Sequence, residues 1–200
     1  MPDSISLNRE LPIGSEGHNA LGWAGMWMLI ATEAALFAYL IFSDIYLAGQ
    51  VHGRWVPETP KLRLALPNTV LLIASSFVLY WGERGIRTGN RTRLLAGLAV
   101  TFLMGAAFAI VQLDEWSNKH FTLAASAYAS EYFVTTGFHL AHVLGGLLIL
   151  ATLFAWTWMD KFDARRHAAV SIGALYWHFV DAVWIAVFST FYLAPYLTRS

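Results

Sequence analysis

The sequence predicts an all-α fold: an integral membrane bundle of five transmembrane helices with a cytoplasmic N-terminus and a periplasmic C-terminus. Composition is the first reason. Of 200 residues, 57% are hydrophobic and 13% charged, where a soluble domain carries about a quarter charged residues. Distribution is the second. The apolar residues come in five long runs, each near the roughly 20 residues that cross a hydrocarbon core at 1.5 Å per residue. Helix is preferred to strand because the runs are continuous and backbone donors in lipid must be satisfied within their own segment. The placement of lysine and arginine is the third reason, and it sets the orientation.

Residues Met1 to Ala20 are polar and contain Pro2, Pro12 and Gly14. They lack the basic-then-apolar pattern of a cleavable signal. Residues 1–21 are therefore read as a polar N-terminal segment, and 22–200 as one five-helix domain whose first helix serves as its own insertion signal. That helix is predicted from Gly22 to Leu47. Gly49 and Gly53, with Pro57 and Pro60, break the chain after it. The second helix is predicted from Leu64 to Gly82. Pro67-Asn68-Thr69 opens it, since proline is tolerated in a first turn, and Ser75 and Ser76 are small enough for close helix contact.

Arg84 to Arg93, with Gly85 and Gly89, form the second break, and the third helix is predicted from Leu94 to Leu113. At its end Gln112, Asp114, Glu115 and Trp116 read as a solvated terminus with an interfacial aromatic. The fourth helix is predicted from Ser130 to Met159 and the fifth from Ile172 to Leu197. Both exceed about 20 residues, so they tilt or extend beyond the hydrocarbon. No loop is long enough for a separate soluble domain, and the sequence has no internal repeat.

The side of the N-terminus carries Arg9, Arg84, Arg87, Arg91, Arg93, Lys161, Arg165 and Arg166. The other side carries Arg54, Lys61, Arg63, Lys119 and Arg199. The excess places the N-terminus in the cytoplasm, or in the matrix for a mitochondrial chain, and the C-terminus outside. A net charge of zero gives no sign of nucleic-acid binding. With no cysteine, disulfides, thiolate metal sites and iron–sulfur clusters are excluded.

Ionisable groups inside such helices are costly and default to functional candidates. Glu33 lies about 16 Å into the first helix, with Thr32 and Ser43 as the polar neighbours on its own helix. It reads either as a proton-exchanging or inter-subunit carboxyl, or as a carboxyl bonded to a neighbouring helix. His139 and His142 share a face of the fourth helix, continued by Gly145 and Gly146. With His178 they offer nitrogen ligands for a metal or haem, although a hydrogen-bonded packing role is commoner. His178 and Asp181 share a face of the fifth helix, with Asp181 about 10 Å from its start. They read as a mutually satisfying pair that locks the fifth helix against the fourth, or as a catalytic pair. Trp177 and Trp184 mark a packing stripe.

In order, these segments resemble subunit III of the haem–copper terminal oxidases. The first helix has Ile30-Ala31-Thr32-Glu33-Ala34-Ala35-Leu36-Phe37, similar to a serine–glutamate segment of that family, with threonine for the usual serine. The second has Leu66-Pro67-Asn68-Thr69 followed by Ser75-Ser76. Gln112 and Glu115-Trp116 follow, then Thr136-Gly137-Phe138-His139 with His142-Val143 and Gly146. Last comes Tyr176-Trp177-His178-Phe179-Val180-Asp181 with Val183-Trp184. The resemblance runs from Trp23 to Tyr196 and is closest to the short five-helix bacterial form. The seven-helix form has two further helices that enclose a lipid-filled cleft.

The resemblance implies an accessory subunit of a proton-translocating cytochrome c or quinol oxidase in the bacterial inner membrane. Such a subunit acts in respiratory electron transport, packs on subunit I beside subunit II, and supports proton uptake. It implies no catalytic residue and no bound metal or other cofactor in this chain. Haem and copper belong to partner subunits, and phospholipid is a candidate ligand. Glu33 would be the buried functional carboxyl. His139, His142, His178 and Asp181 would be signature residues of mostly structural role, and Gln112 and Glu115 polar residues of the outer end. Three rivals are set beside it: association with nitric oxide reductase, a b-type haem carrier on His139 or His142 with His178, and a proton-coupled transporter built on Glu33.

Overall fold

A chain segment facing lipid has no water to satisfy its amides, so each apolar run folds into a helix that bonds its own backbone. The computed structural model describes residues 21–51, 55–57, 60 and 62–197. Its helices are α1 (Leu21–Gln50), α2 (Leu62–Arg87), α3 (Arg91–Ser117), α4 (Ala127–Trp158) and α5 (Ala168–Phe188). A π-helical turn, Ser189–Leu193, and a final turn, α6 (Ala194–Leu197), continue α5. All five long helices are apolar enough to cross a membrane, and no strand occurs among the described residues. The polar segment before Leu21, and Arg9, Arg54, Lys61 and Arg199 of the charge count, lie outside the described residues.

Four of the helices outrun their apolar stretches at both ends or at their start, and α1 does so at its C-terminal end. α2 reaches Arg87 rather than Gly82, α3 begins at Arg91 and ends at Ser117, and α4 begins at Ala127. Hydropathy marks where hydrocarbon contact ends, whereas backbone bonding continues into polar residues until a cap stops it. Asn90 accepts a bond from the Arg93 amide at 3.0 Å to start α3, and Ser126 accepts from the Ala129 amide at 3.1 Å to start α4. Between α2 and α3 the chain turns within three residues, Thr88 to Asn90, where Gly89 takes φ of +77°, a conformation that favours glycine. Pro67 does not open α2; it stands in its second turn, five residues after Leu62.

Helices α2, α3, α4 and α5 close a ring in which each packs on two others, and α1 lies outside it in the groove between α4 and α5. Small residues set the spacing, as expected where packing rather than water drives association. A Cβ on Gly97 would come within 2.7 Å of the Gly82 Cα, so α2 and α3 touch backbone to backbone. Trp177, fully buried, is wedged where Gly105 of α3 and Gly146 of α4 leave room; a Cβ on Gly146 would lie 2.7 Å from its ring. Trp184 is 1% exposed one layer further along α5. The expected Trp177–Trp184 stripe is therefore the spine of the core. By contrast, α1 buries only Phe37, Leu40 and Asp44 among its described side chains.

Pro195 explains the π-helical turn. It cannot donate to the carbonyl one turn back, and its ring crowds that turn; the helix widens just before it, a distortion often found at functional positions. The extra residue brings consecutive side chains, Phe191 and Tyr192, both into the core.

Candidate functional site

The intramembrane polar residues do not converge on one centre; they form three clusters, each tying different helices. The first joins α1 to α4. Glu33 Oε2 lies 3.0 Å from His142 Nε2, and His142 Nδ1 lies 2.7 Å from the Phe138 carbonyl. A carbonyl only accepts, so Nδ1 donates to it and Nε2 faces the carboxyl. One proton then sits between Nε2 and Oε2. Both residues are near the middle of their helices and partly open to the bundle surface, with side chains 26% and 14% exposed. The polar neighbours expected on α1 serve elsewhere: Thr32 donates to the Leu29 carbonyl at 2.8 Å, and Ser43 donates to Glu131 of α4 at 2.7 Å.

His139 and His142 share a helical face, yet they serve different neighbours. His139 is fully buried in the centre of the bundle. Ring centroids of Trp184, Phe108 and Phe37 lie 4.8, 5.8 and 6.4 Å from it. That enclosure leaves no open face of the His139 ring for a porphyrin. Among the described residues no group of three or more His, Asp or Glu is placed to hold a metal ion.

The second cluster ties α5 to α2, not to α4. The Ser76 hydroxyl bonds the Asp181 carboxylate through Oδ2 and lies 2.8 Å from His178 Nδ1. The expected His178–Asp181 pair is thus mediated: one hydroxyl can donate to the carboxylate while accepting from the ring. Measured from Ala168, where α5 begins, Asp181 lies about 20 Å along the helix, deeper than the 10 Å expected. Rungs on either side hold the same antiparallel register. Trp184 Nε1 donates to Thr69 at 2.9 Å, Trp177 Nε1 to Ser75 at 2.9 Å, and Ser171 to Glu83 at 2.7 Å. Glu83 also accepts from Arg87 at 2.6 Å. Below this rung a cavity of about 570 Å³, lined by Trp23, Glu83, Arg87, Arg165, Ser171 and His178 among others, opens at the arginine-rich end.

The third cluster lies at the opposite end, where a solvated helix terminus was expected. Glu115 is instead a shared acceptor: Tyr192 donates to it at 2.8 Å, Tyr132 at 3.2 Å, and Lys119 pairs with it at 2.9 Å. The two tyrosine hydroxyls are 2.9 Å apart, and the Lys119 ammonium sits 4.7 Å from the Tyr132 ring centroid. Gln112 is 1% exposed. The reason is tertiary: the loop after α3 folds back over the end of α4, and the π-helical turn swings Tyr192 inward. Nearby, Trp55 donates to the buried Asp44 at 3.2 Å.

Sequence reading missed Glu83, Asp44, Glu131, Lys119, Tyr132 and Tyr192 as site residues. Glu83 had a signal, since Glu83 and Arg87 are four apart, but it stood one residue past the predicted end of α2. Tyr132 and Tyr192 carry no local signal.

A family model described as cytochrome c oxidase subunit III matches residues 19–196. Cytochrome c oxidase subunit 3 of Synechocystis sp. is 37% identical over 189 residues, covering 90% of this chain and 78% of its own length. The probable cytochrome c oxidase subunit 3 of Mycobacterium tuberculosis is 38% identical, with 84% and 85% covered. The human cytochrome c oxidase subunit 3 is 33% identical, with 84% and 67% covered.

Proposed function

The chain belongs to the cytochrome c oxidase subunit III family, and from that membership we propose that it is the non-catalytic subunit III of a proton-pumping haem–copper respiratory oxidase. In this reading it packs directly on subunit I, lies in a complex with subunit II, and supports proton uptake and stability during turnover. Haem and copper reside in the partner subunits, and membrane lipid covers the remaining surface. The membrane is the bacterial cytoplasmic membrane, with the arginine-rich end inside.

The observation that carries this reading is how the ionisable groups at mid-height are used. Glu33 and His142 meet each other, and His178 and Asp181 meet on Ser76. Each set joins two helices, so the groups hold the bundle together. Glu33, partly open to the bundle surface, is the carboxyl best placed to exchange a proton.

The test is purification through a tag on this chain from native membranes. The expected product contains subunits I and II, shows haem absorption assigned to subunit I, and consumes oxygen. Stoichiometric haem on this chain alone would overturn the proposal. Reduction of nitric oxide without oxygen consumption would assign the chain to a nitric oxide reductase assembly instead.

A further inference from the structure

Several polar side chains sealed inside this bundle reach a partner on another helix; Gln112 and His139 do not. Gln112 of α3 is 1% exposed, and neither its amide oxygen nor its amide nitrogen has a partner. His139 of α4 is fully buried, and both ring nitrogens are likewise without one. An amide and an imidazole together offer several donor and acceptor positions, and native proteins seldom leave such groups unmatched.

The two residues face the same seam. Phe108, one turn before Gln112, has its ring centroid 5.8 Å from that of His139. Trp116, one turn after Gln112, packs against Phe133 at 5.8 Å between centroids and lies close to Gly137. Gln112 is therefore level with the turn of α4 that ends at His139. The rings of Phe37, Phe108 and Trp184 hold the imidazole in place. On the outer side, Glu115, Tyr132 and Tyr192 bond one another and close the seam.

We propose that Gln112 and His139 hold a buried water molecule between them, a hydration site inside the α3–α4 seam. The chemistry of the two side chains selects water. It donates and accepts, as does an amide, and a neutral imidazole presents one N–H and one lone pair. Such waters make two to four bonds to buried polar groups and are costly to remove. The Thr135 hydroxyl, one turn from His139, is fully buried and without a partner, and supplies a further bond to the same water or a second one.

The test uses the assembled oxidase. A cryo-electron microscopy map fine enough to show ordered water should contain a density within hydrogen-bond distance of the Gln112 amide and a His139 nitrogen. A direct Gln112–His139 bond, or no density between them, would overturn the proposal. Heat denaturation supplies the second arm, with Gln112→Leu, His139→Phe and the double variant in the same complex. A shared water makes the two shifts in midpoint non-additive, the double variant falling by clearly less than their sum. Additive shifts would overturn it too. If a single variant fails to assemble, the map of the native complex decides alone.

Discussion

One hydroxyl, Ser76 Oγ, satisfies two ionisable side chains on another helix. Removing it strands a half-buried ring and a buried carboxylate, and each buried unmet polar group costs about 1–3 kcal/mol. Ser76→Ala should therefore lower the heat-denaturation midpoint of the complex more than Ser75→Ala, which strands only the Trp177 N–H. Equal shifts would show that His178 and Asp181 do not depend on Ser76. Glu33→Gln should act differently. The amide still bonds His142 Nε2, so assembly and haem content should stay normal. Proton uptake or lifetime during turnover should fall only modestly, measured by oxygen consumption and proton release in vesicles. Loss of haem from that variant would contradict the accessory role.

At the level of elements, α2 and α3 owe their contact to two facing glycines. A Cβ on Gly97 meets backbone rather than a flexible side chain, so Gly97→Ala must part the helices. Overpacking of this kind costs about 1–3 kcal/mol, whereas Gly25→Ala, with nothing within 4 Å of its Cβ, should leave stability unchanged. Retention of the subunit through detergent purification would compare the two. The existence of the five helices was legible because hydrocarbon demands long apolar runs, and those are local facts. Their ends were not, since caps such as Asn90 and Ser126 lie outside the apolar runs. The partner of each polar residue was not legible either. His178 and Asp181 were rightly placed on one face, but nothing nearby says that the face meets Ser76, 102 and 105 residues away. Glu115 looked solvated for the same reason: Tyr192, 77 residues on, covers it.

For the whole molecule, the orientation is open to a clean measurement because the chain has no cysteine. A single cysteine at Thr122 or at Ala164 occupies an exposed loop at opposite ends of the bundle. With the arginine-rich end inside, an impermeant maleimide added to intact spheroplasts should label Thr122→Cys and reach Ala164→Cys only after permeabilisation. The reverse pattern would invert the topology.

The seat of α1 outside the four-helix ring also orders events at the ribosome. Of the five helices α1 is made before the others yet docks between two of the last, and the partner of Glu33 lies 109 residues further on. At about 5–20 residues per second, translation keeps this carboxyl waiting for on the order of 5–20 s before His142 is even synthesised. Throughout that interval α1 is a lone insertion with an acidic group at mid-membrane. A nascent chain arrested after α3 should therefore be far more exposed to membrane proteases than one arrested after α4, and the comparison can be read by pulse-chase.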